Sequence, residues 1–207
     1  GRVRDVNKGL TAKGAATRQR IIAGAAALIR ERGPSATSLD DVLAATATSK
    51  GQLFHYFPDG RPDLLLAVAR HEADIVLAVQ EPYLSDLTSA RMWQAWRQAV
   101  IGHYRELGER CPLGALTAQL GKTSPQARAI VTELYDRWEA RLLAGVEAMG
   151  RQGDRPPGTS AAETARGILA AIQGGVVMLQ ATGRITYLEA GLDVALAPLR
   201  ATWPASV

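Results

Sequence analysis

The sequence predicts an all-α protein of about nine helices, on three observations. Apolar residues recur with helical spacing in segment after segment, no segment alternates with the two-residue period of a strand, and Gly and Pro fall between the periodic stretches. Hydrophobic residues make up 47% of the chain, enough to build a real core, so disorder is not expected.

Residues 1–14 lack periodicity and read as a flexible basic arm. From Ala15 to Arg32, Ile21, Ile22, Ala25, Leu28 and Ile29 form one stripe, and Gly33-Pro34 ends it. Thr37 or Ser38 caps a short second helix, whose first turn carries Asp40 and Asp41, where carboxylates suit the helix dipole. Thr46-Ala47-Thr48 is a brief break before a third helix, Ser49 to Tyr56. After the turn at Pro58-Asp59-Gly60, Pro62 opens a fourth helix that reaches about Gln80, closed by Glu81-Pro82.

The fifth helix spans about Thr88 to Glu109, and a loop at Cys111–Gly114 leads into a short sixth, Ala115 to Leu120. Pro125 to Met149 is a long seventh, followed by a Gly- and Pro-rich loop over 150–158. Ser160, with Glu163 three residues on, caps an eighth that runs to Thr182, and a ninth covers Tyr187 to Ala201.

Charge is distributed unevenly. Residues 1–58 hold nine Lys/Arg against four Asp/Glu, whereas residues 59–207 hold fifteen against sixteen. A basic first quarter on a neutral body points to contact with nucleic acid or another anionic surface. The one cysteine, Cys111, excludes an intramolecular disulfide and fits a reducing cytoplasm. Residues 1–14 have no apolar core of a secretory signal, and no apolar run approaches the roughly 18–20 residues of a membrane span.

Three short helices, the second and third separated by a tight break, fit a helix-turn-helix over residues 15–60. In the third helix Leu53 and Phe57 share an apolar face, and Ser49, Lys50, Gln52, His55 and Tyr56 make the polar, cationic one. A DNA major groove accepts one such helix, with donors toward base edges and flanks toward phosphates.

The run TSLDDVLAATATSKGQLFHYFPDGRPDLLLAV, from Thr37 to Val68, resembles the DNA-binding segment of the tetracycline-repressor (TetR) family, and FPDGR and CPLGAL resemble its LmrA/YxaF branch. Where that family often places Gly-Val, this chain has Ala47-Thr48; a positive φ at Ala47 would cost about 1 kcal/mol.

The resemblance implies a DNA-binding role for Thr37, Ser38, Ser49, Lys50, Gln52, His55, Tyr56 and Arg61, with Lys13, Arg18 and Arg20 adding sequence-independent attraction. Of these, Gln52 is the best base reader, because an amide bonds adenine at two points; its other reading is a cap for Ser49 in an S-x-x-Q box. Lys50 and Tyr56 suit phosphates.

Residues 61–207 are read as an effector-binding and dimerisation domain. The resemblance implies a small-molecule effector among its helices. Trp93, Trp96, His103, Tyr104, Cys111, Leu116, Leu120, Tyr135 and Trp138 are the candidates to line its site; beside this stands plain core packing for the aromatic and aliphatic ones, a surface position for His103, and a small half-buried hydrophobe for Cys111. Ile168, Ile172, Val176, Leu179, Leu192 and Leu196 are candidates for a homodimer interface. A two-fold pair would read a palindromic operator with half-sites about 34–36 Å apart.

Enzyme readings have little support. Gly121-Lys122-Thr123 lacks the spacing of a phosphate-binding loop, His71-Glu72 lacks a second zinc-binding histidine, and no cofactor or metal motif is present. The expected function is a DNA-binding transcriptional regulator, a repressor released from its operator by an effector. The alternative is a sensor that activates, or one without a DNA-binding role of its own.

Overall fold

The computed structural model describes residues 10–120, 124–150 and 160–200. Among them are nine α-helices and no strand: α1 (Ala12–Arg32), α2 (Leu39–Ala45), α3 (Lys50–Tyr56), α4 (Arg61–Ala78), α5 (Ala90–Leu107), α6 (Pro112–Leu120), α7 (Pro125–Gly150), α8 (Ala161–Thr182) and α9 (Thr186–Arg200). The all-α reading holds. One element was not legible, a single 3₁₀ turn at Tyr83–Ser85, too short to show a period. Helix α1 begins three residues before the expected Ala15, because Thr11 caps it by accepting from the Gly14 N–H at 3.1 Å. Most of the expected basic arm, residues 1–9, lies outside the described residues.

The chain divides into two compact units, Gly1–Glu72 with Pro112–Ile130, and Ala73–Cys111 with Val131–Val207. The first unit contains α1 to α3 and packs α1 on both α2 and α6. Its core is Ile21, Ile22, Ala25, Ala26 and Ile29 from α1, with Val42, Leu53, Phe57, Leu64 and Leu116. Glu72, 4% exposed, is held by Arg30 of α1 at 2.6 Å, and its burial raises the carboxyl pKa despite that partner.

The second unit is built around three tryptophans, Trp93, Trp96 and Trp138, all fully buried. Helix α8 starts at the expected Ser160–Glu163 capping box and stops at Gly183, whose φ of 70° is left-handed. Its packing on α9 is the tightest in the unit. A Cβ on Gly175 would stand 2.5 Å from the Cα of Leu188, so only glycine allows this approach.

The nearest atom is the Leu188 Cα, part of the backbone, which cannot rotate aside as a side chain can. Gly175→Ala is therefore expected to lower stability by about 1–3 kcal/mol, read by chemical or thermal unfolding; an unchanged midpoint would mean that α8 and α9 pack more loosely than described.

Candidate nucleic-acid interface

Helix α3 has seven residues, too few to hold itself together in water. It forms because both of its ends and one face are tied down. Ser49 caps it: the Ser49 Oγ accepts from the Gln52 N–H at 3.2 Å, and the Gln52 Oε1 accepts from the Ser49 N–H at 3.2 Å. The Leu53 and Phe57 side chains are each 1% exposed. The Arg18 guanidinium of α1 lies 5.3 Å from the centre of the Phe57 ring, closing that side with a cation–π contact.

The turn into α3 is equally defined. Ala47 sits at φ 47°, the conformation anticipated where the family often has glycine. Thr48, where that family often has Val, is buried but not orphaned: Thr46 Oγ1 donates to Thr48 Oγ1 at 2.8 Å, and Thr48 Oγ1 to the Thr46 carbonyl at 3.2 Å. The same carbonyl accepts from Arg20. Gly24 lets α1 reach this corner, since a Cβ there would stand 2.3 Å from Thr46 Cγ2.

With one face buried, the opposite face of α3 is open. Ser49, Lys50, Gly51, Gln52, Phe54 and His55 are exposed, and Tyr56 is half-buried. The His55 and Tyr56 rings meet edge-on at 4.8 Å, and the Tyr56 hydroxyl lies beside the first turn of α1, 3.5 Å from where a Gly14 Cβ would be. Lys13 is exposed on that same turn.

The remaining predicted residues are placed differently from the exposed residues of α3. Thr37 is buried and its hydroxyl donates to the Gly33 carbonyl at 2.8 Å. Ser38 is the N-cap of α2, and both its N–H and its hydroxyl are held by the Asp41 carboxylate at 2.8 Å. Those hydrogen bonds keep the Asp41 carboxyl below its ordinary pKa. Arg61 is half-buried and donates to the carbonyls of Pro34 at 2.5 Å and Thr37 at 3.4 Å, tying the start of α4 to the loop before α2. Arg18, Arg20 and Arg61 thus all brace the corner that carries α3. Gln52 adopts the capping arrangement, so reading adenine at two points requires its oxygen to leave Ser49.

Two exposed residues of α3 escaped the sequence reading. Phe54 is 40% exposed and leans on the turn at Gly60, where a Cβ would stand 3.1 Å from its ring. Its position was legible in principle: with Leu53 and Phe57 inward, the residue one step along the helix cannot share their face. Gly51 has nothing within 4 Å of where its Cβ would be, so no neighbour within the protein demands glycine.

In the second unit Trp93, Trp96, Tyr104 and Trp138 of the predicted effector residues are core. The Trp96 indole donates to Gln80 Oε1 at 2.8 Å, while the indole N–H groups of Trp93 and Trp138 are buried without a hydrogen-bond partner. Tyr104 is buried, which drives its phenol pKa far up, with Cys111 and Tyr135 adding to the effect. Tyr135 reaches Gln173 at 3.1 Å. His103 and Cys111 are half-buried, as is Leu120 of α6; Leu116 of α6 is fully buried, in the first unit.

The six predicted dimer residues, Ile168, Ile172, Val176, Leu179, Leu192 and Leu196, are at most 5% exposed within the single chain. Their helical stripes are the inward ones. The apolar residues turned outward are Val177, Met178 and Val194. Among the described residues, no group of His, Cys, Asp and Glu is arranged to hold a metal, and no helix is long and apolar enough to cross a membrane.

Comparison with known proteins agrees with this geometry. Residues 21–68 match the bacterial regulatory proteins of the tetR family, and residues 90–194 match the tetracyclin repressor-like C-terminal domain. The chain is 30% identical over 149 residues to an uncharacterized HTH-type transcriptional regulator of Mycobacterium tuberculosis, covering 67% of this chain and 73% of that one. It is 25% identical over 127 residues to the uncharacterized HTH-type regulator YxaF of Bacillus subtilis, covering 60% and 66%. Its fold matches a TetR-family regulator from Cytophaga hutchinsonii with a TM-score of 0.75 at 20% identity, over 96% of this chain and all of that one.

The chain belongs to the TetR family. It is a DNA-binding transcriptional regulator and not an enzyme, of a kind that typically represses and is controlled by a small-molecule effector.

The left-handed alanine gives a stability test. Ala47→Gly is expected to raise stability by about 1 kcal/mol, seen as a higher unfolding midpoint; a lower midpoint would show that Ala47 is not strained.

Proposed function

We propose that this chain works as a cytoplasmic homodimer that represses by placing α3 of each protomer in successive major grooves of a palindromic operator. The observation that carries the reading is the two-sidedness of α3: Leu53 and Phe57 sealed inward, Ser49, Lys50, Gln52 and His55 exposed on a braced corner. Lys50 and Tyr56 hold phosphates, Ser49 and His55 face the groove, and Gln52 reads a base once its amide leaves the cap. Phe54 offers an apolar edge to a thymine methyl. Thr37, Ser38, Arg18 and Arg61 act mainly by holding this corner, with Lys13 adding attraction to the backbone. YxaF-like regulators are the branch the resemblance in FPDGR and CPLGAL favours.

Gly51 lies on the exposed face of α3, where a side chain would add bulk toward a docked duplex.

For the pairing face, the exposed row Gly167, Ala170, Gly174, Val177, Met178 and Ala181 of α8 continues into Ala190, Val194 and Ala197 of α9. Val177 is 62% and Val194 75% exposed, and open space surrounds Gly174. Such a surface of small and apolar residues suits a second copy of itself. An effector in the second unit is supported by the unpartnered donors of Trp93 and Trp138, which a hydrogen-bond acceptor on an apolar ligand would satisfy. Its action is a population shift, limited by its difference in affinity for the DNA-bound and free states.

Titrating operator DNA across salt concentrations tests the reading. Affinity is expected to fall steeply and linearly on logarithmic axes, and Lys50→Ala to reduce the slope by about two for the dimer. A flat salt dependence would favour a sensor without a DNA role. Gly51→Ala should keep the wild-type unfolding midpoint or raise it, yet weaken operator binding roughly tenfold, about 1.4 kcal/mol. Val194→Glu, at a site exposed in the single chain, should turn the dimer into a helical monomer by sedimentation; a dimer that survives it would place the interface elsewhere.

A further inference from the structure

The second unit carries a groove of about 370 Å³ that the regulator reading does not use. It is lined by Arg91, Gln94, Ala95, Arg97 and Gln98 of α5 and by Arg200 at the end of α9. The α5 residues follow from helical spacing: 91, 94, 95 and 98 form one row, away from the buried Trp93, Trp96 and Val100. Three of the six lining residues are cationic, two are neutral amides, and no carboxylate is among the described ones.

Two of the guanidiniums are positioned before any ligand arrives. Arg97 Nη2 donates to Asp193 Oδ2 of α9 at 3.0 Å, its Nε lies within ion-pair distance of Oδ1 at 3.0 Å, and Arg200 Nη2 donates to the same Oδ1 at 2.5 Å. Burial works against the charge on Asp193, but the hydrogen bonds from Arg200 and Arg97 outweigh it and hold its pKa below the ordinary value. The Arg97 side chain is only 15% exposed, so its rotamer is largely fixed by packing and by this contact. Its hydrogen bond to Asp193 runs through Nη2 alone, and its buried Nε has no hydrogen-bond partner among the described residues. Arg91 is exposed on the wall of the same groove. Arginine forks fixed in this way match the geometry of phosphate oxygens.

The geometry points to a binding site for a small phosphorylated compound. The lining also limits its body. Ala95 is the one apolar residue among those described, and no aromatic ring is there to stack on a base. The volume exceeds that of a single phosphate and lies at the small end of ligand sites. The described lining suits a small polar ligand, a sugar phosphate or a short polyphosphate. Gln94 and Gln98 supply amides for its hydroxyl groups. None of its lining residues is among the aromatic effector candidates or on α3.

Calorimetric titration of the full chain at fixed ionic strength tests it, with pyrophosphate and fructose 1,6-bisphosphate as probes. Wild-type protein is expected to bind one of them saturably, one per chain. Arg91→Glu should weaken that binding roughly tenfold or more, and Gln98→Glu should weaken it likewise. Lys50→Ala, which removes a cation from α3, should leave it unchanged. The proposal is overturned if neither probe binds saturably, if both groove variants bind as the wild type does, or if Lys50→Ala is the change that abolishes binding. A failure here leaves operator binding, and so the regulator reading, untouched.

Discussion

The burial of Leu53 and Phe57 is the contact on which the rest depends. A helix as short as α3 gains too little from its own hydrogen bonds to persist, and the two side chains, each nearly sealed from solvent, supply what is missing. Burying a large apolar side chain contributes about 1.5–3 kcal/mol. The same burial determines direction: once these two point inward, the helix has no choice about which residues it presents outside.

Much of what surrounds α3 serves that orientation. Arg18 covers Phe57, Arg20 holds the end of α2, Arg61 ties α4 to the preceding loop, and Thr46 with Thr48 fills the corner. Positive charge in this part of the chain therefore has two uses. Some guanidiniums are spent on internal carbonyls and a ring, while Lys13 and Lys50 stay exposed. The basic residues that stay exposed and those that hold the presented helix in place are different ones, and a count of basic residues does not separate them.

The elements were largely legible in the sequence because apolar spacing and capping residues are local signals. Ser160 caps α8 as its S-x-x-E pattern indicates, Ser38 and not Thr37 proves to be the cap of α2, and the S-x-x-Q box at Ser49, the alternative reading of Gln52, is formed. The strained Ala47 was legible because the position calls for glycine. The partners of individual side chains were not. Whether Arg61 meets a phosphate or the Pro34 carbonyl depends on a contact 27 residues away. Likewise, the apolar stripe on α8 has two candidate destinations, a partner chain or its own α9, and periodicity is the same for both. Gly175 against Leu188 decides how closely α8 and α9 meet, and the outward row that remains is made of smaller, less conspicuous residues.

The central claim is that two copies of α3 are held at the spacing of successive major grooves. Selection of binding sequences from a pool of random duplexes by the full-length protein tests it most directly. The account predicts enrichment of an inverted repeat whose half-sites lie about one helical turn, or a multiple of it, apart. Enrichment of a single, unrepeated half-site, or no enrichment at all at low salt, would contradict it.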